Sequence, residues 1–155
     1  MKKIILRSIV LMMSVVALSV ASAADPLQQS ARLQGVWDSQ ATLTDCNGNI
    51  LVVLRAFEAF HQGGTLTSTD NTPPTLHGIG LGTWQHVGVG KYTAPFQFFN
   101  FNADGTFAGT QKIERLIQIA ADGNSYTSTV TFASYDPDGN LLFSGCGDEV
   151  ATRLP

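Results

Sequence analysis

Residues 102–140 read NADGTFAGTQKIERLIQIAADGNSYTSTVTFASYDPDGN, two strand-length runs held between three turn signals. The turns are Asn102-Ala103-Asp104-Gly105, Ala121-Asp122-Gly123-Asn124 and Asp136-Pro137-Asp138-Gly139-Asn140. Asp-Gly steps of this kind supply the positive φ angles that tight hairpins need. The runs between them are rich in Thr, Val, Ile, Phe and Tyr, which suit a pleated surface. In 106–119, Lys112, Glu114 and Gln118 fall on one face, and Phe107, Ile113, Ile117 and Ile119 on the other, with Arg115 among them. A period of two with one charged and one apolar face predicts a strand wet on one side and packed on the other.

The same grammar extends in both directions. Further turns stand at Asp45-Cys46-Asn47-Gly48-Asn49 and Gly88-Val89-Gly90, and no stretch has a helical period. The predicted strands are 35–44, 50–60, 64–69, 79–87, 91–101, 106–119, 125–135 and 141–153. The segment 70–77, with Pro73-Pro74, is the longest loop. Gly78-x-Gly80-x-Gly82 marks a strand that bends or lets another backbone come close. Strand 50–60 is apolar on both faces (Leu51, Val53 and Phe57 against Ile50, Val52 and Leu54), so a cover by the leader, a loop or another subunit is expected.

About eight consecutive antiparallel strands leave two open edges, and closure into an up-and-down barrel removes them. Cys46 follows the first strand and Cys146 lies in the last. A disulfide needs their Cα atoms at ~5.5 Å, which requires the terminal strands to be neighbours. Setting 46 opposite 146 also sets Ser39 opposite Arg153. A two-sheet sandwich is the alternative.

The first residues have an export pattern. Lys2, Lys3 and Arg7 precede an apolar run from Ile9 to Val20, which ends in Ala21-Ser22-Ala23, a small-x-small cleavage site. The expected division is 1–23 signal peptide, 24–34 leader and 35–155 barrel domain, with release into the periplasm or beyond and no membrane anchor after cleavage. Without that segment's three basic residues, six remain against twelve acidic ones. An acidic chain with scattered cations has no footprint for nucleic acid or for anionic lipid. Export also favours oxidised cysteines.

Gly35-Val36-Trp37 at the first strand and Arg153 in the last resemble the Gly-x-Trp start and late Arg of the lipocalins and the wider calycin group, which includes avidin-like barrels. The resemblance covers the two ends of the chain. It implies that Arg153 packs across Trp37 and closes one end of a barrel. Lipocalins carry a second loop motif and a C-terminal helix that are missing here, so the likeness is to a compact calycin-like barrel. The chain is also similar to small exported bacterial proteins with Gly-Thr-Trp-Gln-His and Gly-Cys-Gly segments. The hairpin at Asn47-Gly48 sets Trp37 opposite Glu58, which predicts a structural plug of Trp37, Arg153 and Glu58, a cation over a ring and paired by an acid.

Chemistry is sparse. There is no Gly-x-Ser-x-Gly elbow, and His61, His77 and His86 lack the spacing of zinc ligands. No metal or cofactor is expected. The informative region runs from Trp84 to Phe101. A four-residue loop at Gly105 sets Tyr92, Phe96 and Phe98 on one side with Phe107, Gln111 and Arg115, joined by Tyr126, Ser128, Val130, Phe132 and then Glu149. Trp84 and His86 join this wall only in one register of the 88–90 turn. Aromatic walls with a few polar groups line small-molecule cavities. Trp84, His86, Tyr92, Phe96, Phe98, Gln111, Arg115, Ser128 and Glu149 are thus the candidate ligand-binding residues, for a small apolar or aromatic molecule. The competing readings are a filled core with an Arg115–Glu149 salt bridge, an isomerase- or cyclase-like barrel enzyme using Arg115 with Glu149 or His86 with Tyr92, and a barrel docking on a partner or on its own copy through strand 50–60.

Overall fold

The computed structural model describes residues 32–155; the expected signal segment 1–23 and residues 24–31 of the expected leader lie outside the described residues. Ten strand segments follow one another: β1 (Gly35–Thr44), β2 (Ile50–Phe60), β3 (Thr65–Asp70), β4 (Gly80–Thr83), β5 (Gln85–Gly88), β6 (Lys91–Thr93), β7 (Phe96–Phe101), β8 (Phe107–Ile119), β9 (Ser125–Tyr135) and β10 (Leu141–Arg153). Every pairing is antiparallel; β10 returns to β1 and β9 to β8, so the sheet closes on itself, while the short β5 pairs with β6 alone. Among the described residues there is no helix.

Two of the expected strands are broken in mid-course. The fourth splits at Trp84 into β4 and β5, and the fifth at Ala94-Pro95 into β6 and β7. Proline lacks the N–H a ladder needs, and here its carbonyl instead accepts the N–H of Thr83 at 3.1 Å. Counting each split strand once gives a closed, eight-stranded, up-and-down barrel.

The glycine run explains the bend. Gly82 pairs with Phe96, and a Cβ on it would lie 2.0 Å from the Pro95 carbonyl oxygen; one on Gly80 would lie 2.7 Å from the Phe96 ring. Gly78 has nothing nearer than 3.8 Å. Overpacking costs about 1–3 kcal/mol, so Gly82→Ala is expected to lower the melting temperature clearly and Gly78→Ala hardly at all. Equal melting temperatures for the two variants would contradict the close approach.

The terminal strands join as the cysteines require, with a register two residues from the expected one. Thr44, not Cys46, stands opposite Cys146, and Ala151, not Arg153, opposite Ser39. Cys46 lies just past the strand end with φ at 64° and reaches back diagonally, its Cα 4.9 Å from that of Cys146. A shift of two keeps every side chain on its face. Phe107 does change face. A bulge opposite Asn100 and Phe101, with Gly109 at φ 127°, inserts one residue, and Phe107 turns outward onto Phe99.

One end of the barrel is solid. Leu33, Trp37, Phe60, Leu66, Trp84, Tyr92, Ile117, Ile119 and Tyr126 form one buried cluster. The Trp37 and Tyr126 rings lie 4.9 Å apart, and both indoles find acceptors, Trp37 on Leu33 O at 2.9 Å and Trp84 on His61 O at 3.0 Å. No described element covers the outer face of β2, where Val53 and Phe57 are each about half exposed; Leu51, expected on that face, sits at a bulge and turns to the barrel's mouth instead. The described part of the leader runs elsewhere: Leu33 is buried in the solid end and Arg32 donates to Ala120 O.

Candidate functional site

Side chains of alternate residues point into the barrel, so β2 sends Leu54, Ala56, Glu58 and Phe60 inward in turn, and β8 sends Gln111, Ile113, Arg115 and Ile117. This places Glu58 and Arg115 at mid-height, where Glu149 from β10 meets them. All three are almost fully buried. Arg115 Nη1 donates to Glu58 Oε1 in a very short contact and to both oxygens of Glu149 at 3.3 Å, and Nε donates to Ala94 O at 3.2 Å. Tyr126 OH donates to Glu58 Oε2 at 2.6 Å, and Ser128 Oγ to Glu149 Oε2 at 2.8 Å. Arg115 Nη2 is buried without a partner.

Burial pushes the Glu58 carboxyl up, and the Arg115 cation offsets part of that rise. Burial alone would lower the Arg115 guanidinium, but the Glu58 and Glu149 carboxylates outweigh it and raise it above its ordinary range. Burial also raises the Tyr126 phenol, with Glu58 adding to the effect, so this hydroxyl keeps its proton and acts as a donor. One guanidinium therefore faces two carboxyl groups, all three side chains almost fully buried.

Below this layer lies the solid end; above it the barrel is hollow. A cavity of about 570 Å³ opens between the loops at the far end. Its walls are mainly apolar, with Ala41, Leu43, Leu54, Phe96, Phe98 and Phe132 among them, and Glu58, Arg115 and Glu149 form its floor. The Phe96 and Phe98 rings stack at 6.3 Å, and Phe96 also lies over the Arg115 guanidinium at 4.7 Å. Near the mouth, His77 Nε2 lies 2.9 Å from Asp70 Oδ1 and Nδ1 lies 2.7 Å from Gly78 O, which ties the 71–79 loop to the end of β3.

Of the residues expected to share one wall, Phe96, Phe98, Gln111, Arg115 and Glu149 line the cavity. Ser128 stands behind it, holding Glu149. Trp84 and Tyr92 belong to the solid end, and His86 packs on Tyr92 there at 5.2 Å, away from the cavity. The break at Trp84 explains this, because β5 and β6 pair in the solid half while β4 and β7 pair around the hollow.

The expected plug is present with a different partner. Arg153 lies over Trp37 at 4.2 Å, and directly opposite it in the sheet. Its guanidinium is held by backbone carbonyls, Gln34 O at 2.5 Å, Gly123 O at 3.0 Å and Arg32 O. Glu58 does not pair with it. That carboxylate extends toward mid-barrel, where Arg115 can be fully desolvated beside it. The alternation of β2 could have revealed this, since a lone acid among inward apolar residues needs a buried cation. No signal of that kind marks His77 and Asp70, whose meeting depends on the path of the 71–79 loop.

Among the described residues, no three His, Cys, Asp or Glu side chains gather as metal ligands would. In comparisons with known proteins, no family model, no curated protein and no solved structure matches the chain.

Proposed function

We propose that the protein is an exported, calycin-like barrel that holds a small apolar or aromatic molecule in its interior. One observation carries this reading: the half of the barrel above the charged layer is hollow, apolar and open at one end. Its volume lies within the ~300–1,000 Å³ of small-molecule sites. A barrel of this strand number either fills its interior or leaves room for one small ligand, and this one does each in a different half. The Trp37–Arg153 stack closes the opposite end in the manner expected of a calycin-like barrel, and the Cys46–Cys146 bond suits an oxidising compartment outside the cytoplasm.

A neutral apolar dye, N-phenyl-1-naphthylamine, tests the reading. Its fluorescence is expected to rise and saturate with one dye per barrel. Ala56→Trp, which puts an indole into the cavity, is expected to weaken binding by roughly tenfold or more, about 1.4 kcal/mol, with strand content by circular dichroism unchanged. Binding that Ala56→Trp leaves intact would place the dye elsewhere and end the proposal.

A further inference from the structure

The floor of the cavity has one donor too few partners and one carboxyl group too many. Arg115 Nη2 is buried with no acceptor, and a buried N–H without a partner is costly, so a ligand that brings an acceptor gains from it. The charge of the floor decides which acceptor. With Glu58 and Glu149 both ionised the cluster is anionic; with one protonated it is neutral. In neither state does Arg115 hold positive charge that is not already matched. A ligand carboxylate arriving there would sit beside two carboxyl groups in a poorly screened interior.

The mouth is biased in the same direction. The four loops at the open end, 45–49, 71–79, 102–106 and 136–140, contain no Lys or Arg, but they contain Asp45, Asp104, Asp136 and Asp138. Asp45, Asp104 and Asp136 are held low by hydrogen bonds from Asn49, Thr106 and Asn140 respectively. Lys112 lies on the outer wall, over the Tyr135 ring at 4.8 Å. The cations Arg32, Lys91 and Arg153 lie toward the closed end, on or beside β6, β10 and the 120–124 turn.

We infer that the cavity selects apolar molecules whose buried head is a neutral hydrogen-bond acceptor, a carbonyl or a hydroxyl, and discriminates against carboxylates of the same skeleton. This rests on the interior-binding reading and adds to it the class of head group. The head accepts from Arg115 Nη2, with the Phe96 ring, which lies over the guanidinium, moving aside to admit it. The apolar tail lies along Phe98, Phe132 and Leu54.

The test is displacement of N-phenyl-1-naphthylamine from the mature, disulfide-intact protein near neutral pH by decan-2-one, decan-1-ol, decanoate and decylamine. The ketone and alcohol are expected to displace the dye at concentrations roughly tenfold below that of decanoate, with the amine also weaker than either. Glu149→Gln removes one carboxylate and keeps an oxygen for Ser128 Oγ, so Arg115 gains charge to share and the deficit of decanoate is expected to narrow or reverse. Displacement by decanoate at or below the ketone's concentration overturns the inference and leaves the interior site standing, as does tightest displacement by the amine. A dye that binds but is displaced by none of the four overturns it too. Failure of the dye and of all four compounds to bind overturns the interior site and this inference together.

Discussion

Arg115→Met is expected to destabilise the barrel by about 3–5 kcal/mol at neutral pH, the usual consequence of removing one partner from a buried ion pair. The variant keeps an unbranched apolar stem, so the loss comes mainly from the carboxyl groups left without a cation. What remains is Glu58 and Glu149, both almost wholly buried, sharing a site without a cation. The Glu58 carboxyl, already pushed up by burial, then loses the cation that offset part of that rise and keeps the opposing effect of the Glu149 carboxylate. A carboxyl raised in the folded state binds its proton more tightly there than in the unfolded chain. Stability is therefore lost as pH rises from the unfolded value of ~4.3 through the folded one. Urea denaturation should show the deficit greatest at neutral pH and shrinking toward pH ~4.5. The triple variant Glu58→Gln, Arg115→Met, Glu149→Gln should recover much of the loss, since no buried charge is left. If Arg115→Met matches the natural protein at neutral pH, the three side chains do not form the charged layer described here.

Replacing both cysteines by serine is the second large effect, with an expected loss of about 3–5 kcal/mol. The bond joins positions 100 residues apart. For a loop of that size the chain-entropy model gives about 4.7 kcal/mol. Cys46 adopts a φ of 64°, and a non-glycine residue in that region costs roughly 1–2 kcal/mol. The serine variant can relax this strain, so the net loss falls somewhat below the model value. The bond also sits where the cylinder closes, next to the Thr44–Cys146 pair. Amide exchange should accelerate first along β1 and β10, with β8 and β9 less affected. The check is the urea midpoint of the double variant and of the natural protein under reductant, which should agree. An unchanged midpoint, or faster exchange confined to β8 and β9, would mean that the closure does not depend on this bond.

The two effects act on different parts of one design. The sulfur bond holds the first and last strands together, while the charged layer divides the interior into a solid half and a hollow half. The Arg153 stack seals the solid half with carbonyl groups, not with an acid, so Glu58 is free to serve mid-barrel. That single reassignment couples the plug to the cavity floor, because Trp37 and Glu58 are direct neighbours across β1 and β2.

Turn residues and a period of two, both local properties, sufficed to place nearly every strand of this chain and the hairpin that sets Trp37 opposite Glu58. A hairpin's register follows from the few residues of its turn, and those are contiguous in sequence. The neighbouring of the terminal strands was legible too, because the chain has two cysteines and a bond between them requires those strands side by side. The exact register across that seam was not, since a disulfide tolerates a diagonal reach of two residues without moving any side chain to the other face. The division of the interior was decided only in three dimensions. Whether Trp84 and Tyr92 join the hollow or the solid half depends on a break at Trp84 and Pro95, and that break follows from a glycine strand pressed against a proline carbonyl on its neighbour. Which carboxylate meets which guanidinium was decided in the same way. Long side chains from three separate strands converge at one height in the barrel, and height depends on strand stagger, a property of the closed sheet that no single segment contains.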